Sequence, residues 1–409
     1  MKFSEEEKLV IFGIAIYLAS AFLVFFLNPE LGGARSDSSF YFNMFSAANP
    51  RNISITLDNY QVATSPIYIF LIGSLHAILG SYFSLALHVL YVSFAIASIA
   101  IFGKILGTTN WLTFAPIMSL FAGSGYFVAP SIWPTSDTPS IFFALLCLYS
   151  FLKKKRAFLT ISAFLLISTR QSFAWLLCAF FFFECLTNKR NWTNYLRHAL
   201  KFIPSFGSFI VTLIFFDGHL TPPLYETVNS SNVFKIPNFL TSVQIGLCLF
   251  SILFPFIFSY FPTYGIKYIS SNYLVLVMMI STFPIIYNFY GRKKSIGDGL
   301  GWISILFSRF NLSILIVCII ASLGIAILLL YSANLDRELK LLFNTMFVIL
   351  LVFSLAMPVP FLRYFEVSLI FICALILGTH LNNSKRLGFL GSILLSVFVA
   401  SINFAKIIG

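Results

Sequence analysis

The segment VIFGIAIYLASAFLVFFL, residues 10–27, decides the fold class of this chain. It contains no charged side chain, and a helix of this length reaches across most of a hydrocarbon core about 30 Å thick. Continuous apolar runs of the same kind recur along a chain of 409 residues that is 59% hydrophobic and 10% charged. This composition excludes a soluble globular protein and predicts an all-α polytopic membrane protein.

Hydropathy predicts about thirteen membrane-spanning helices in this chain. They lie near residues 10–27, 82–103, 111–127, 138–152, 157–170, 172–187, 202–216, 241–260, 272–290, 311–332, 341–357, 365–381 and 388–407. Lys and Arg concentrate in a few short loops between them, and the positive-inside rule assigns such loops to the cytoplasm. These loops are Lys153–Arg156, Lys189-Arg190, Arg197–Lys201 and Lys385-Arg386. The N-terminus is then expected to be cytoplasmic.

The segment Ser65–Leu79 is apolar but short, and Pro66, Gly73 and His76 interrupt it. A membrane span is one interpretation. We favour an interfacial helix that lies along the external surface, because about fifteen residues are too few to cross a bilayer comfortably. The first external loop then runs from Asp37 to Gly80.

Carboxylates are scarce in this sequence, so each one near a membrane face is a candidate for chemistry. Asp37 lies about ten residues beyond the first apolar run, and we expect it to start the first external loop. Asp137 precedes another apolar run and falls on the same side by the parity of the spans. Either residue could instead cap the N-terminus of the helix that follows it, since Asp satisfies free backbone N–H groups there.

Several basic residues are also predicted on the external side. Arg170 follows an apolar helix, where a guanidinium is costly unless it pairs with a carboxylate or a phosphate. Arg363 either has a functional role or forms a structural pair with Glu366, one helical step away. The run Arg292-Lys293-Lys294 breaks the positive-inside rule, which indicates either a bound anion or a parity error of one span. His219 is either a site residue or an ordinary loop residue, and we favour the loop residue.

Taken in order, these motifs resemble those of the GT-C superfamily of polyprenyl-phosphate-sugar glycosyltransferases. The likeness is greatest to the dolichyl-phosphoglucose α-1,2-glucosyltransferase family, over most of the chain in the order and spacing of short motifs. The matching positions are Asp37-Ser38, Asp58 with Thr64-Ser65-Pro66, Ser136-Asp137, Arg170-Gln171-Ser172-Phe173, Asp298 to Arg309, and Arg363-Tyr364-Phe365.

The resemblance implies a GT-C-like bundle and an inverting transfer of a hexose such as glucose. The donor would be a polyprenyl-phosphate sugar and the acceptor a glycan or lipid-linked oligosaccharide on the periplasmic or luminal side. Residues 1–216 would form the catalytic transmembrane module with the first external loop, and residues 217–409 a C-terminal module that lines the lipid-donor site. The length of the chain favours a bacterial inner membrane over the endoplasmic reticulum. Membrane lipids are expected partners, and nucleic acid is not.

The roles implied by the resemblance fall on two kinds of residue. Asp37 is the expected base for the acceptor hydroxyl, and Asp137 orients the acceptor or the base. The donor phosphate is assigned to a cationic and polar set: Arg170, Gln171, Arg363, Arg292 and Lys293. Acceptor-binding or loop positions are Asp58, His219 and Asp298. We predict no cofactor and no metal, although Asp37, Asp58 and Asp137 are of the type that binds a divalent cation.

Two other function classes share some of these features. An O-antigen polymerase or ligase also uses external arginines on a polyprenyl-linked glycan, but such an enzyme is expected to have a large late external loop. A lipid-linked-sugar flippase or transporter is expected to have polar residues at mid-membrane depth and internal repeats. In this chain the polar residues are predicted near one face, so the glycosyltransferase is the preferred interpretation.

Overall fold

The computed structural model describes residues 3–27, 34–48, 64–107, 111–187, 196, 199–218 and 337–354. These residues form helices, and none of them is in a strand. The α-helices, numbered here in chain order, are α1 (Glu5–Leu27), α2 (Ala34–Ala47), α3 (Pro66–Leu79), α4 (Phe83–Leu106), α5 (Trp111–Ala122), α6 (Gly125–Ile132), α7 (Asp137–Leu152), α8 (Arg156–Thr169), α9 (Ala174–Thr187), α10 (Ile203–Phe215) and α11 (Arg337–Ser354). The all-α prediction is confirmed for this part of the chain.

Two helical segments among these residues are long and apolar enough to cross a membrane. They are Glu5–Phe26 and Pro66–Leu106. The second contains α3 and α4, which are joined by the 3-10 turn Gly80–Tyr82. Gly80 has a φ of +53°, a conformation that costs a glycine little. The helix predicted at residues 65–79 is therefore present, while its position along the membrane surface stays a prediction.

Most predicted helices that fall in the described part of the chain coincide with observed ones. Those near residues 82–103, 138–152, 157–170, 172–187, 202–216 and 341–357 correspond to α4, α7, α8, α9, α10 and α11. The predicted helix at 111–127 is wrong as a single element, because α5 ends at Ala122 and α6 begins at Gly125. The interruption falls in the sequence Gly123-Ser124-Gly125, and glycine weakens a helix interior. The helices predicted near 241–260, 272–290, 311–332, 365–381 and 388–407 lie outside the described residues.

The contacts divide the chain into two compact units. The described residues of one unit lie within Met1–Gly13, Ile105–Ser124 and Val233–Gly409, and those of the other lie within Ile14–Lys104 and Gly125–Asn232. In the first unit α1 starts with a capping box. The Ser4 amide donates to Glu7 Oε2 at 2.7 Å, and the Glu7 amide donates to Ser4 Oγ at 3.2 Å. Glu5 Oε2 accepts a hydrogen bond from the Trp111 amide at 3.1 Å, which links α1 to α5.

The second unit is organised by the antiparallel hairpin of α7 and α8. The turn between them is a Schellman motif, in which the Lys155 amide donates to Ser150 O and the Lys154 amide donates to Phe151 O, at 2.8 and 3.0 Å. Lys154 takes the left-handed position of the motif, with φ +53°. With 16 residues, α7 is about 24 Å long. Asp137 and Arg170 therefore lie at one end of the hairpin, and Lys153–Arg156 lie at the other.

A second packing centre in this unit holds α2 against α3. Its buried residues include Tyr41, Met44, Phe45, Tyr68 and Ile72. The contact is close, because a Cβ added to Gly73 of α3 would lie 2.6 Å from Ala48 Cβ and 2.9 Å from Ala48 O. The glycine that interrupts the apolar segment 65–79 thus lets α2 approach α3.

Candidate functional site

One set of polar residues in the second unit lies at the end of the hairpin that carries Asp137, here called the polar end. Arg170 Nη1 forms an ion pair with Asp137 Oδ1, and the two side chains are only 12% and 20% exposed. Arg170 follows α8 directly and has an extended backbone, after which Gln171–Phe173 form a 3-10 turn. The predicted need of Arg170 for an anionic partner is met by a carboxylate of the same hairpin.

The proposal that Asp137 caps α7 is wrong. Asp137 is the first residue of the helix, and the cap position belongs to Ser136, whose side chain makes no capping bond. The Asp137 carboxylate points to Arg170 instead, and the Thr135 hydroxyl lies 3.5 Å from Asp137 Oδ2. The reason is electrostatic, since a half-buried carboxylate interacts more strongly with a guanidinium than with neutral amides.

Asp37 lies in helix α2 rather than in a loop, so the prediction of a loop at this residue is wrong. It occupies the first turn of α2, where the helix dipole favours a negative charge. Its side chain is half-buried. Residue Tyr41 follows one turn later on the same side of α2, about 6 Å further along the axis. The hydroxyl of Tyr41 therefore connects the helix that carries Asp37 to the rest of the polar end.

A cluster of buried hydroxyl groups makes that connection. Tyr41 Oη forms hydrogen bonds of 2.7 Å with both Thr64 Oγ1 and Ser136 Oγ, and Thr64 Oγ1 donates to Ser136 Oγ at 3.4 Å. All three side chains are at most 9% exposed. The cluster joins α2, the residue pair before α3 and the start of α7. The helix that carries Asp37 is thus linked through Tyr41 to Ser136, the residue before Asp137.

A second set of buried hydroxyl groups attaches α10 to the same unit. Thr212 Oγ1 donates to Ser65 Oγ at 3.1 Å, and Ser168 Oγ and Ser208 Oγ share a hydrogen bond of 3.0 Å. Because Ser168 immediately precedes the end of α8, this second set lies close in sequence to Arg170. It fixes the backbone from which Arg170 extends.

Two buried polar atoms beside the ion pair have no hydrogen-bond partner among the described residues. They are Thr138 Oγ1 and Gln171 Nε2, each next in sequence to a member of the pair. Buried polar groups are satisfied in the great majority of cases, so two such atoms beside one ion pair are candidates for contact with a polar ligand. Both atoms can donate a hydrogen bond to a phosphate or sugar oxygen.

An aromatic and cationic stack lies at the same end. Arg35 Cζ is 5.4 Å from the centre of the Trp133 ring, and Trp133 also stacks on Phe25 of α1, with ring centres 5.8 Å apart. Arg35 is exposed. The sequence predicts no role for this stack. The only indication of it in the sequence is Trp133, which lies shortly before Asp137, the first residue of α7.

The opposite end of the hairpin, here called the basic end, has a different character. Lys153, Lys154, Lys155 and Arg156 are exposed there. A second ion pair joins Lys201 Nζ to Glu184 Oε1 at 2.6 Å, with side chains 11% and 15% exposed. Phe151 at the end of α7 contacts Phe183 of α9, which puts Glu184 near this end.

The remaining predicted site residues lie outside the described part of the chain. They are Asp58, His219, Arg292, Lys293, Asp298 and Arg363. Within the described ranges, no group of three or more His, Cys, Asp or Glu side chains is arranged to hold a metal ion. Of the predicted positions, the structure brings Asp137 and Arg170 into contact, with Gln171 next to Arg170 in the chain, and it places Asp37 on α2.

Comparison with known proteins gave no relatives. No protein-family model matches this chain, and neither the curated proteins nor the solved structures contain a match.

Proposed function

We propose that this chain is a multi-pass membrane glycosyltransferase of the GT-C type in a bacterial inner membrane. It transfers a hexose such as glucose, with inversion, from a polyprenyl-phosphate carrier to a glycan acceptor on the periplasmic side. The observation that carries this proposal is the half-buried Asp137–Arg170 pair with two unpartnered polar atoms beside it. The polar end is the donor-phosphate site in this proposal.

Arg170 is the proposed phosphate ligand. A guanidinium has five N–H donors in a fixed fork, so it can contact Asp137 and a phosphate at once. Asp137 holds the guanidinium in place and limits its rotamers. Gln171 Nε2 adds a neutral donor beside it. Together these groups stabilise the negative charge that grows on the phosphate as the glycosidic bond breaks.

Asp37 is the proposed base. Its carboxylate removes the proton of the acceptor hydroxyl while the acceptor oxygen bonds to the anomeric carbon. The bond from that carbon to the phosphate oxygen breaks, and its electron pair leaves with polyprenyl phosphate. Attack from the side opposite the leaving group inverts the anomeric centre. Support comes from the link between α2 and Asp137 through Tyr41 and Ser136.

The test is transfer of a hexose from a polyprenyl-phosphate sugar by purified protein in detergent. Asp37→Asn keeps the size of the side chain but removes its basicity, and we expect a rate lower by about 10²-fold to 10⁴-fold. Asp217→Asn is the matched control. Asp217 is an exposed carboxylate just after α10, with φ +50°, a conformation that asparagine also adopts readily.

Other outcomes would redirect the proposal. Normal transfer by Asp37→Asn would remove Asp37 as the base. If no sugar is transferred by the wild-type protein, but a polyprenyl-linked glycan is lengthened or moved across vesicles, the polymerase or the flippase reading replaces the glycosyltransferase. Binding of polyprenyl phosphate measured in parallel separates loss of chemistry from loss of the donor.

A further inference from the structure

The turn of the α7–α8 hairpin, at the basic end, carries four cations in a row. Residues Lys153–Arg156 are all exposed, and no described carboxylate forms an ion pair with any of them. Glu184, a carboxylate that lies near this end, is paired with Lys201. Among the described residues, the turn therefore presents a charge of +4 that no carboxylate neutralises.

The backbone of this turn is fixed by its own hydrogen bonds. The Lys153 amide donates to Tyr149 O at 2.9 Å, in addition to the two Schellman bonds made by Lys154 and Lys155. Lys155 is also held through its side chain, because its Nζ lies 5.8 Å from the centre of the Tyr149 ring and 5.9 Å from that of the Phe158 ring. A cation held by two rings loses less freedom when it binds an anion.

Apolar side chains adjoin these cations on α8. Phe158, whose ring lies beside Lys155 Nζ, is 59% exposed, and Ile161, three residues further along the helix, is also 59% exposed. In a membrane any lipid chain covers such residues, so they do not distinguish one lipid from another. The cations do distinguish lipids, because an attraction that depends on charge requires a headgroup with a net negative charge.

We propose that the basic end binds the headgroup of an anionic glycerophospholipid such as phosphatidylglycerol. The phosphodiester lies against Lys153–Arg156, and the first part of the acyl chains lies over Phe158 and Ile161. This inference takes from the proposed function only its membrane location, and it concerns the end of the hairpin opposite the proposed donor site. Each cation of such a cluster strengthens the binding of an anionic lipid by about fivefold. The ammonium group of phosphatidylethanolamine cancels the charge of its own phosphate, so that lipid gains little from the cluster.

The experiment measures lipid binding to full-length protein in detergent micelles by native mass spectrometry. The probes are phosphatidylglycerol and phosphatidylethanolamine with identical acyl chains, and inorganic phosphate serves as a competitor. The wild type should bind phosphatidylglycerol at least about 20-fold more tightly than phosphatidylethanolamine. The double variant Lys154→Asn/Arg156→Gln removes two charges, so its affinity for phosphatidylglycerol should fall by about 20-fold while its affinity for phosphatidylethanolamine stays the same.

Matched controls come from elsewhere in the same unit. Arg35→Gln removes an exposed arginine at the polar end, and Lys104→Gln removes an exposed lysine at the end of α4. Neither should change the affinity for phosphatidylglycerol, because neither residue belongs to the cluster. Asparagine suits position 154, since Lys154 has a φ of +53° that asparagine adopts readily. If the double variant does not fold, Arg156→Gln alone should give a loss of about fivefold.

Three results would overturn the inference. They are equal affinity of the wild type for the two phospholipids, unchanged phosphatidylglycerol binding in the double variant, and displacement of phosphatidylglycerol by an equal concentration of inorganic phosphate, which would indicate a site for a free anion. The glycosyltransferase proposal is judged separately by sugar transfer. Transfer without a preference for phosphatidylglycerol would refute this inference alone, whereas the preference without transfer would refute the enzyme activity alone.

Discussion

The two ends of the α7–α8 hairpin carry ion pairs of similar burial in different surroundings. At the polar end, Asp137–Arg170 lies beside buried hydroxyl groups and two unpartnered polar atoms. At the basic end, Glu184–Lys201 lies among exposed lysines. The comparison teaches that burial of an ion pair does not by itself indicate chemistry. What separates the two pairs is the cluster of buried hydroxyl groups of Tyr41, Thr64 and Ser136, which lies next to the polar-end pair.

The largest expected difference concerns conservative exchange of the two cations. Arg170→Lys keeps the charge but loses the guanidinium fork, and we expect hexose transfer to fall by about 10²-fold. Lys201→Arg makes the reverse exchange at the basic end and should leave transfer near the wild-type rate. Initial rates with a polyprenyl-phosphate sugar measure both. Equal losses in the two variants would mean that the ends do not differ in function.

Replacing either cation by alanine tests whether the two ion pairs contribute equally to the free energy of unfolding. Arg170→Ala and Lys201→Ala should each lower the free energy of unfolding by roughly 3 kcal/mol, because each removes one member of a mostly buried ion pair. Denaturant unfolding in detergent micelles measures this. A loss confined to one pair would show that the two ends also differ structurally.

A third prediction concerns the packing that supports the polar end. Gly73→Ala should destabilise the protein by about 1–3 kcal/mol, since the new methyl group collides with the backbone of α2 at Ala48. Gly207→Ala in α10 is the control. A Cβ there meets open space, so the change should stabilise the helix by up to about 1 kcal/mol. Destabilisation by both variants would assign the effect to helix chemistry rather than to the α2–α3 contact.

The smallest effect is expected from single hydroxyl groups. Tyr41→Phe removes the bonds to Thr64 and Ser136, and Tyr17→Phe removes the 2.7 Å bond to Ser131. Both tyrosines are buried, so each change should cost about 1 kcal/mol of stability. Only Tyr41→Phe should also lower kcat for transfer, because only Tyr41 connects α2 to the start of α7. A lower kcat in both variants would point to general destabilisation.

The hairpin itself was predictable from the sequence. The apolar runs predict α7 and α8 with ends that differ from the observed ones by at most one residue, since a charged turn and polar flanks bound each run. The need of Arg170 for an anion also followed from its place after an apolar helix. The sequence does not show whether this anion is a carboxylate or a phosphate, because that depends on how α7 and α8 are aligned.

Other parts of the site depend on contacts between elements that are distant in sequence. The segment around Asp37 is rich in serine and was read as a loop, yet it forms α2, whose far end packs on α3 through Ala48 and Gly73. The stack of Arg35 on Trp133 joins residues about a hundred positions apart. No pattern of neighbouring residues in the sequence indicates a contact between positions so far apart. The roles of Arg363 and Asp298 stay predictions.

The Schellman turn at Lys153–Lys155 has a consequence for the order of folding. It joins α7 to α8 with very few residues, so the entropy cost of bringing the two helices together is small. Contacts that are near in sequence form early, and we expect this hairpin to be among the first elements assembled during synthesis. The Asp137–Arg170 pair can then close before α10 has left the ribosome. This ion pair would then be in place before the later helices dock.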